Sequence, residues 1–146
     1  MSRSAPGLIL HATTVAHAGR GLLILGPSGA GKSALAIRMI ALGARLVSDD
    51  RSRIGAEATG LVARCPSDAI RGRIEARGIG LLRLAPLERV LLSLAVDLGQ
   101  AETERLPPPR RMELLGHQLP LVLRPQNNHL AEALMLCLAG AWPERG

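Results

Sequence analysis

Gly26-Pro27-Ser28-Gly29-Ala30-Gly31-Lys32-Ser33 is the stretch on which the fold turns. It fits the spacing G-x-x-x-x-G-K-[ST], and its flanks suit that pattern. Leu22 to Leu25 is a short continuous apolar run, as expected of a strand buried on both faces. From Ser33 to Leu42, Leu35, Met39 and Leu42 recur at helical spacing, Ile37 and Ile40 widen the stripe, and Gly43 can end the helix. A strand, a glycine-rich loop and a helix in that order form an anion cradle. The glycines let the backbone curl so that successive N–H groups face phosphate oxygens, and the helix N-terminus adds its positive dipole end. Lys32 would reach the β- and γ-phosphates as a compact charge, while the Ser33 hydroxyl would ligate magnesium. A plain glycine turn before a helix is the competing reading, and the flanking elements favour the cradle.

Composition sharpens this. The chain has 18 basic and 12 acidic residues and a formal charge of +6. Lys32 is the only lysine, so every other basic residue is an arginine. Where arginine is used everywhere else, the one ammonium stands where a flexible point charge is wanted. An arginine-rich surface suits phosphate or an acidic partner, although biased codon usage produces the same composition. Hydrophobic residues make up 47% of the chain, which excludes disorder as the default. Phe and Tyr are absent and Trp142 is the only aromatic. The core is therefore aliphatic, and binding of single-stranded nucleic acid by base stacking has no platform. No basic cluster reaches the density of a nucleic-acid tail, so no nucleic-acid partner is expected.

The length of 146 residues fits a single domain, 1–146. Cys65 and Cys137 are too few and too isolated for a disulfide framework or a zinc site. The apolar run from Gly7 to Leu10 is too short for a signal peptide, and no stretch of about 18 apolar residues is present to span a membrane. The expectation is a cytoplasmic protein without a membrane partner.

Outward from the loop, Leu8 to Ala16 reads as one strand and His17-Ala18-Gly19-Arg20-Gly21 as a tight turn. Arg45 to Ser48 is the next strand. Short strands are expected over Leu61 to Arg64, Ile74 to Ala76, Ile79 to Leu84, Val90 to Val96 and Leu119 to Leu123. Gly99 to Arg111, with Pro107-Pro108-Pro109, reads as a loop. Asn127 or Asn128 is placed to cap a last helix over Leu130 to Leu138. The fold class is α/β, with a mixed sheet carrying extra antiparallel strands rather than regular βαβ alternation.

Asp49 and Asp50 close the strand Arg45 to Ser48, at the edge where open α/β sheets bind ligands. Two neighbouring carboxylates can divide labour, one ordering magnesium or its water and one accepting a proton from an attacking hydroxyl. A solvated turn beside Arg51 is the bland alternative. Glu75-Ala76-Arg77-Gly78-Ile79-Gly80 sets a charged pair among apolar residues and then two glycines two apart. It can present a carboxylate to metal and a guanidinium to phosphate, or be a bulged edge strand with an exposed ion pair. His11 reads as a structural histidine on a strand, and His17, His117 and His129 as turn or surface residues. Arg105 is either an arginine that swings over a transferring phosphoryl group or a solubilising loop residue.

Several of these segments together resemble one family. His11 before the loop, Gly26 to Ser33, Arg45-Leu46-Val47-Ser48-Asp49-Asp50 and Glu75-Ala76-Arg77-Gly78-Ile79-Gly80-Leu81-Leu82 are similar to the C-terminal catalytic domain of HPr kinase/phosphorylase. So are Glu104-Arg105-Leu106 and Leu115-Gly116-His117-Gln118-Leu119-Pro120, and the likeness runs from about Leu8 to Ala139. The Glu-x-Arg-Gly-x-Gly segment (Glu75, Arg77, Gly78, Gly80) is the more specific signature. The resemblance implies a P-loop kinase core related to phosphoenolpyruvate carboxykinase, assembled as hexamers. It implies ATP and magnesium as cofactors and a serine of an HPr-type phosphocarrier protein as substrate, with phosphate and pyrophosphate in the reverse reaction. The residues themselves do not distinguish ATP from GTP. By the same resemblance Asp49 is the base, Lys32 and His11 belong to the active site, Ser33 and Glu75 hold magnesium, and Arg105 is the catalytic arginine. Asp50, the second carboxylate of the pair, is a further candidate for the metal.

The chain departs from the family in two places. The usual N-terminal domain is not in this sequence. Where the family favours Pro-Gly-Arg-Asn, a run associated with the phosphorylase direction, the chain reads Arg124-Pro125-Gln126-Asn127-Asn128. Kinase chemistry is therefore expected ahead of phosphorolysis. Two rivals stand beside this reading, a small-molecule kinase of the shikimate or gluconate type and a non-catalytic nucleotide-binding regulator.

Overall fold

The computed structural model describes residues 7–143. In chain order the strands are β1 (Leu8–Leu10), β2 (Thr13–His17) and β3 (Arg20–Leu25), then helix α1 (Lys32–Ala41), then β4 (Arg45–Ser48), β5 (Ser52–Glu57) and β6 (Gly60–Arg64). They are followed by β7 (Arg73–Ala76), β8 (Gly80–Arg83), β9 (Arg89–Ala101), β10 (Arg111–Leu114), β11 (His117–Arg124) and helix α2 (Leu130–Leu138). A nine-stranded mixed sheet runs in the order β1-β5-β6-β9-β3-β2-β4, with the β10–β11 hairpin joined through β11 to β9, and β7 and β8 form a separate two-stranded hairpin.

The direction of the strands sets up the site. β2 is antiparallel to both β3 and β4, so β3 and β4 run the same way with β2 between them. β9 is parallel to β3 and β11 is parallel to β9. Four strands therefore deliver their carboxyl ends to one edge. The glycine-rich loop, the Asp49-Asp50 pair, Leu98 to Ala101 and the segment after Arg124 all meet there, as ligand-binding elements of open sheets do. The tight turn between β2 and β3 places Ala18 (φ 53°) and Gly19 (φ 78°) in the left-handed region, the conformation a two-residue hairpin needs.

The continuous apolar run of β3 is explained by layers on both faces. Leu22 and Ile24 pack with Leu35, Met39, Leu134 and Leu138 of the helices, whereas Leu23 packs with Val47, Ile54, Leu61 and Leu92 on the other side. Ile74 of β7 is fully buried in the helical layer, which docks the small hairpin against α1.

The structure corrects several boundaries. Leu8 to Ala16 is not one strand, because the chain breaks at His11-Ala12, β1 pairing with β5 and β2 with β3 and β4. The Ala12 carbonyl accepts a hydrogen bond from Ser52 Oγ at 2.9 Å. Ser52–Glu57 and Arg111–Leu114 are strands that no local pattern announced, since charges and Gly55 interrupt the alternation. β9 runs on to Ala101, past Asp97, Gly99 and Gln100, because β11 pairs with it as far as Ala101↔Arg124. The cap of α2 is His129 and not Asn127 or Asn128, although Asn127 Oδ1 accepts the His129 N–H at 3.2 Å.

Candidate active site

The loop between β3 and α1 is built on glycine. Gly26, Gly29 and Gly31 have φ of 149°, 83° and 97°, where a side chain is strained. At Gly26 a Cβ would also stand 3.0 Å from Ala30 Cβ. The loop closes through Ala30 N–H to the Pro27 carbonyl (3.0 Å), and Gly31 caps α1. Lys32 is buried (8% exposed), and its Nζ donates to the carbonyls of Gly26 (2.7 Å) and Pro27 (3.3 Å). The ammonium is thereby held at the mouth of the loop.

Asp49 faces this loop from the end of β4. Its Oδ1 accepts Ser33 Oγ at 2.7 Å and Thr13 Oγ1 at 2.9 Å. Its Oδ2 has one long contact, 3.4 Å from the Glu75 N–H. Three elements distant in sequence thus converge on one carboxylate. Thr13 Oγ1 also accepts the Asp50 N–H at 3.0 Å, at a residue whose φ of 66° turns the chain sharply. Thr13 is fully buried, and nothing in the sequence marked it as part of the site. Its role depends on β2 lying between β3 and β4.

The β7–β8 hairpin forms the opposite wall. Gly78 (φ 82°) and Gly80 (φ 139°) shape its turn, and Ile79 N–H donates to the Ala76 carbonyl at 2.9 Å. At the base, Leu84 N–H donates to the Gly72 carbonyl at 2.7 Å. Between hairpin, loop and α1 lies a cavity of about 680 Å³ lined by Ser28, Gly29, Lys32, Ser33, Asp49, Asp50, Glu75 and Arg77, with Ile37 and Arg38 from α1. The loop, the acidic pair and the Glu75 signature therefore meet at one place.

Two expected members stand apart. His11 is exposed at the bend between β1 and β2, and Arg105 is exposed in the loop after β9; neither lines this cavity. The proline-rich loop is pinned at its ends. The Arg110 guanidinium donates through Nε and a terminal nitrogen to both oxygens of Glu102, each at 2.8 Å. Glu102 also accepts the N–H groups of Thr103 and Glu104. The Arg110 bonds hold its carboxyl down to about 2 against an ordinary 4.5.

A second cavity, of about 320 Å³, lies on the other flank of α1 and shares Gly31, Ala34 and Arg38 with the first. Its remaining walls come from Ala30, Leu35, Leu98 and the segment Arg124 to Ala131. Arg124 is tied there by Nε to the Leu98 carbonyl at 3.1 Å.

Among the described residues no group of three or more His, Cys, Asp or Glu side chains gathers closely enough to hold a metal by itself. The oxygen donors beside the loop, the Ser33 hydroxyl and the carboxylates of Asp49, Asp50 and Glu75, are hard ligands. They fit magnesium, which takes one or two protein carboxylates and completes its shell with water and phosphate oxygens.

Residues 2–88 match a family model described as HPr Serine kinase C-terminal domain. An HPr kinase/phosphorylase of Bordetella pertussis is 35% identical over 115 residues, covering 70% of this chain and 37% of the relative. The HPr kinase/phosphorylase of Aromatoleum aromaticum is 38% identical over 123 residues, covering 73% and 38%. The chain thus spans well under half the length of these curated relatives. Among solved structures, the Hpr(Ser) kinase/phosphatase from Coxiella burnetii superposes with a TM-score of 0.76 at 25% identity, covering 90% of this chain and 88% of that one. No helix among the described residues is long and apolar enough to cross a membrane.

Proposed function

This chain belongs to the HPr serine kinase C-terminal domain family, and from that premise we propose that it transfers the γ-phosphoryl group of ATP to a serine of an HPr-type phosphocarrier protein. The observation that carries the reading is the Asp49 carboxylate hydrogen-bonded to Ser33, at the first turn of the helix that follows the phosphate loop. A proton acceptor and a phosphate cradle separated by one hydrogen bond are what phosphoryl transfer to a hydroxyl requires.

In this reading the amides of Gly29 to Ser33 and the ammonium of Lys32 hold the β- and γ-phosphates. Lys32 leaves the carbonyls of Gly26 and Pro27 to do so. The incoming serine Oγ attacks the γ-phosphorus, its proton passes to Asp49, and the bond to the β-phosphate oxygen breaks to release ADP. Asp49 Oδ1 already takes two hydroxyl donors. Oδ2, which has only the long contact from the Glu75 N–H, is the oxygen that would receive the proton. Ser33, Asp50 and Glu75 would hold magnesium, which when bound neutralises charge on the phosphate oxygens. His11 and Arg105 enter from the family resemblance alone. In reverse, inorganic phosphate in the loop attacks phosphoserine, Asp49 returns the proton to the serine, and pyrophosphate leaves. Hexameric assembly and a cytoplasmic location are part of the same proposal and rest on the family resemblance alone.

The test is incubation with HPr-type carrier, magnesium and ATP, with serine phosphate read by mass spectrometry. Transfer is expected from the native chain, and Asp49→Asn should slow it by a factor of about 10² to 10⁴. Transfer to a small-molecule hydroxyl in place of the carrier would move the chain to the metabolite kinases. Nucleotide binding with no acceptor at all would make it a regulator. Pyrophosphate release from phosphorylated carrier and phosphate tests the reverse direction, and its absence would restrict the chain to the kinase step.

A further inference from the structure

We propose that an outward bulge of β9 at Leu98-Gly99-Gln100 sets the shape of the phosphate loop, with Asp97 and Gly99 as its positioning residues. The inference rests on the phosphate-loop reading above and adds what holds that loop in place before an anion arrives.

β11 pairs with β9 residue by residue from Leu121↔Ala95 to Leu123↔Asp97, and its next residue, Arg124, pairs with Ala101. One step on β11 thus spans four on β9, and Leu98, Gly99 and Gln100 are thrown out of that ladder. Each of the three is fastened. Asp97 Oδ1 accepts the Gly99 N–H at 2.8 Å, and Oδ2 accepts the side-chain amide of Gln100 at 2.8 Å. The Leu98 carbonyl accepts Arg124 Nε at 3.1 Å, while the Leu98 side chain is buried in the helical layer. The bulge is therefore a firm surface.

That surface lies against the first limb of the phosphate loop. Leu25 of β3 pairs with Asp97, so Gly26 and Pro27 leave β3 directly beside the bulge. A Cβ on Gly26 would stand 3.3 Å from Leu98 Cβ, and one on Gly99 would stand 2.9 Å from Pro27 Cδ. The second contact is with a proline ring, which has no rotamer by which to swing aside. Gly99 does not adopt a left-handed φ, so close approach is what requires glycine there. Pro27 in turn governs the loop. Its carbonyl accepts the Ala30 N–H at 3.0 Å, which closes the turn, and Lys32 Nζ at 3.3 Å. Moving Pro27 thus disturbs the loop amides and the ammonium together, and a phosphate chain binds less well. Neither Asp97 nor Gly99 lines the larger cavity, so both act through Pro27.

The experiment measures binding of inorganic tripolyphosphate and of ATP, each with magnesium, by isothermal titration, with melting temperature followed alongside. Gly99→Ala should weaken both ligands alike by about tenfold, the effect of one overcrowded contact. Asp97→Ala releases the bulge without crowding the loop and should also weaken both. Asp97→Asn keeps an acceptor for the Gly99 N–H and should restore native affinity. In a Pro27→Ala background, Gly99→Ala should add no further loss, because the ring carbon it meets is gone. Tripolyphosphate binding that is unchanged or tighter in Gly99→Ala overturns the proposal, even where the melting temperature falls, since that combination marks a purely structural bulge. Weakening of ATP alone places the effect on the nucleoside and overturns it as well. Should Gly99→Ala not fold, the Asp97 variants decide, and equal affinity of the alanine and asparagine forms sinks the proposal. Tripolyphosphate binding that survives Lys32→Met instead overturns the phosphate-loop reading on which the proposal rests.

Discussion

The side chains of Ser33 and Asp49 meet at 2.7 Å although one lies in the first turn of helix α1 and the other directly follows strand β4. A hydroxyl suited to a metal and a carboxylate suited to a proton are thus coupled before any substrate arrives. Asp49→Asn keeps the size and an acceptor oxygen but removes the basicity. Nucleotide affinity should stay within about twofold, while phosphoryl transfer falls by a factor of about 10² to 10⁴, the usual contribution of a general base. Isothermal titration and a single-turnover transfer assay separate the two. Transfer at the native rate would remove Asp49 as the base.

Thr13 is the second partner of that carboxylate and also receives the Asp50 N–H. Thr13→Val preserves shape and strips both bonds from a fully buried position. A loss of about 1–3 kcal/mol in unfolding free energy is expected, from a buried N–H and a carboxylate left short of partners. Transfer should slow with it, and Thr13→Ser should restore most of both in denaturant titrations and rate measurements. A valine variant as stable and active as the native chain would show that Asp49 needs no positioning from β2.

Gly72 anchors the hairpin that carries Glu75. Its φ is 76°, and an added Cβ would stand 2.6 Å from the Leu84 carbonyl oxygen, the strand end it pairs with. Gly72→Ala therefore strains the backbone and pushes β7 from β8, at a cost of about 1–3 kcal/mol. Thermal melting should show the loss. Hydrogen exchange should show it concentrated in residues 72–84, with magnesium-dependent activity reduced in parallel.

Glu102 and Arg110 predict a response to acid. The Glu102 carboxyl lies at about 2 in the fold against an ordinary 4.5, chiefly because Arg110 hydrogen-bonds its charged form. A depressed carboxyl contributes stability that is fully present above its unfolded value and is lost as pH falls through its folded one. The native chain should lose this contribution between about pH 4.5 and pH 2. Arg110→Ala should flatten the melting-temperature profile over that window and loosen the loop bearing Arg105. An unchanged profile would mean that the pair does not hold the loop.

Much of the site could be read from the chain itself because its parts are local. The cradle needs glycines, one lysine and a hydroxyl within eight consecutive positions, and strand and helix periodicity stand directly beside it. The expected helices at Ser33 to Leu42 and Leu130 to Leu138 and the strand Arg45 to Ser48 differ little or not at all from the observed elements. Asp49 and the Glu75 segment were visible as unusual charge placed among apolar residues. What escaped was what depends on partners. Ser52–Glu57 becomes a strand because β1 and β6 flank it, and β9 continues through Gly99 because β11 pairs with it. His11 and Arg105 matched a pattern, yet the fold leaves both exposed and off the cavity.

The sequence by itself determined the chemistry on offer, a glycine-rich loop with one ammonium, the Ser28 and Ser33 hydroxyls and a nearby acidic pair. Those properties belong to residue types and short spacings, which survive without a partner. Only the tertiary structure decided that β2 lies between β3 and β4, so that Thr13 supports Asp49, and that α1 parts an acidic cavity from a carboxylate-free one. Strand order and direction arise from pairings between residues far apart along the chain, and no local window of sequence contains both members of such a pair.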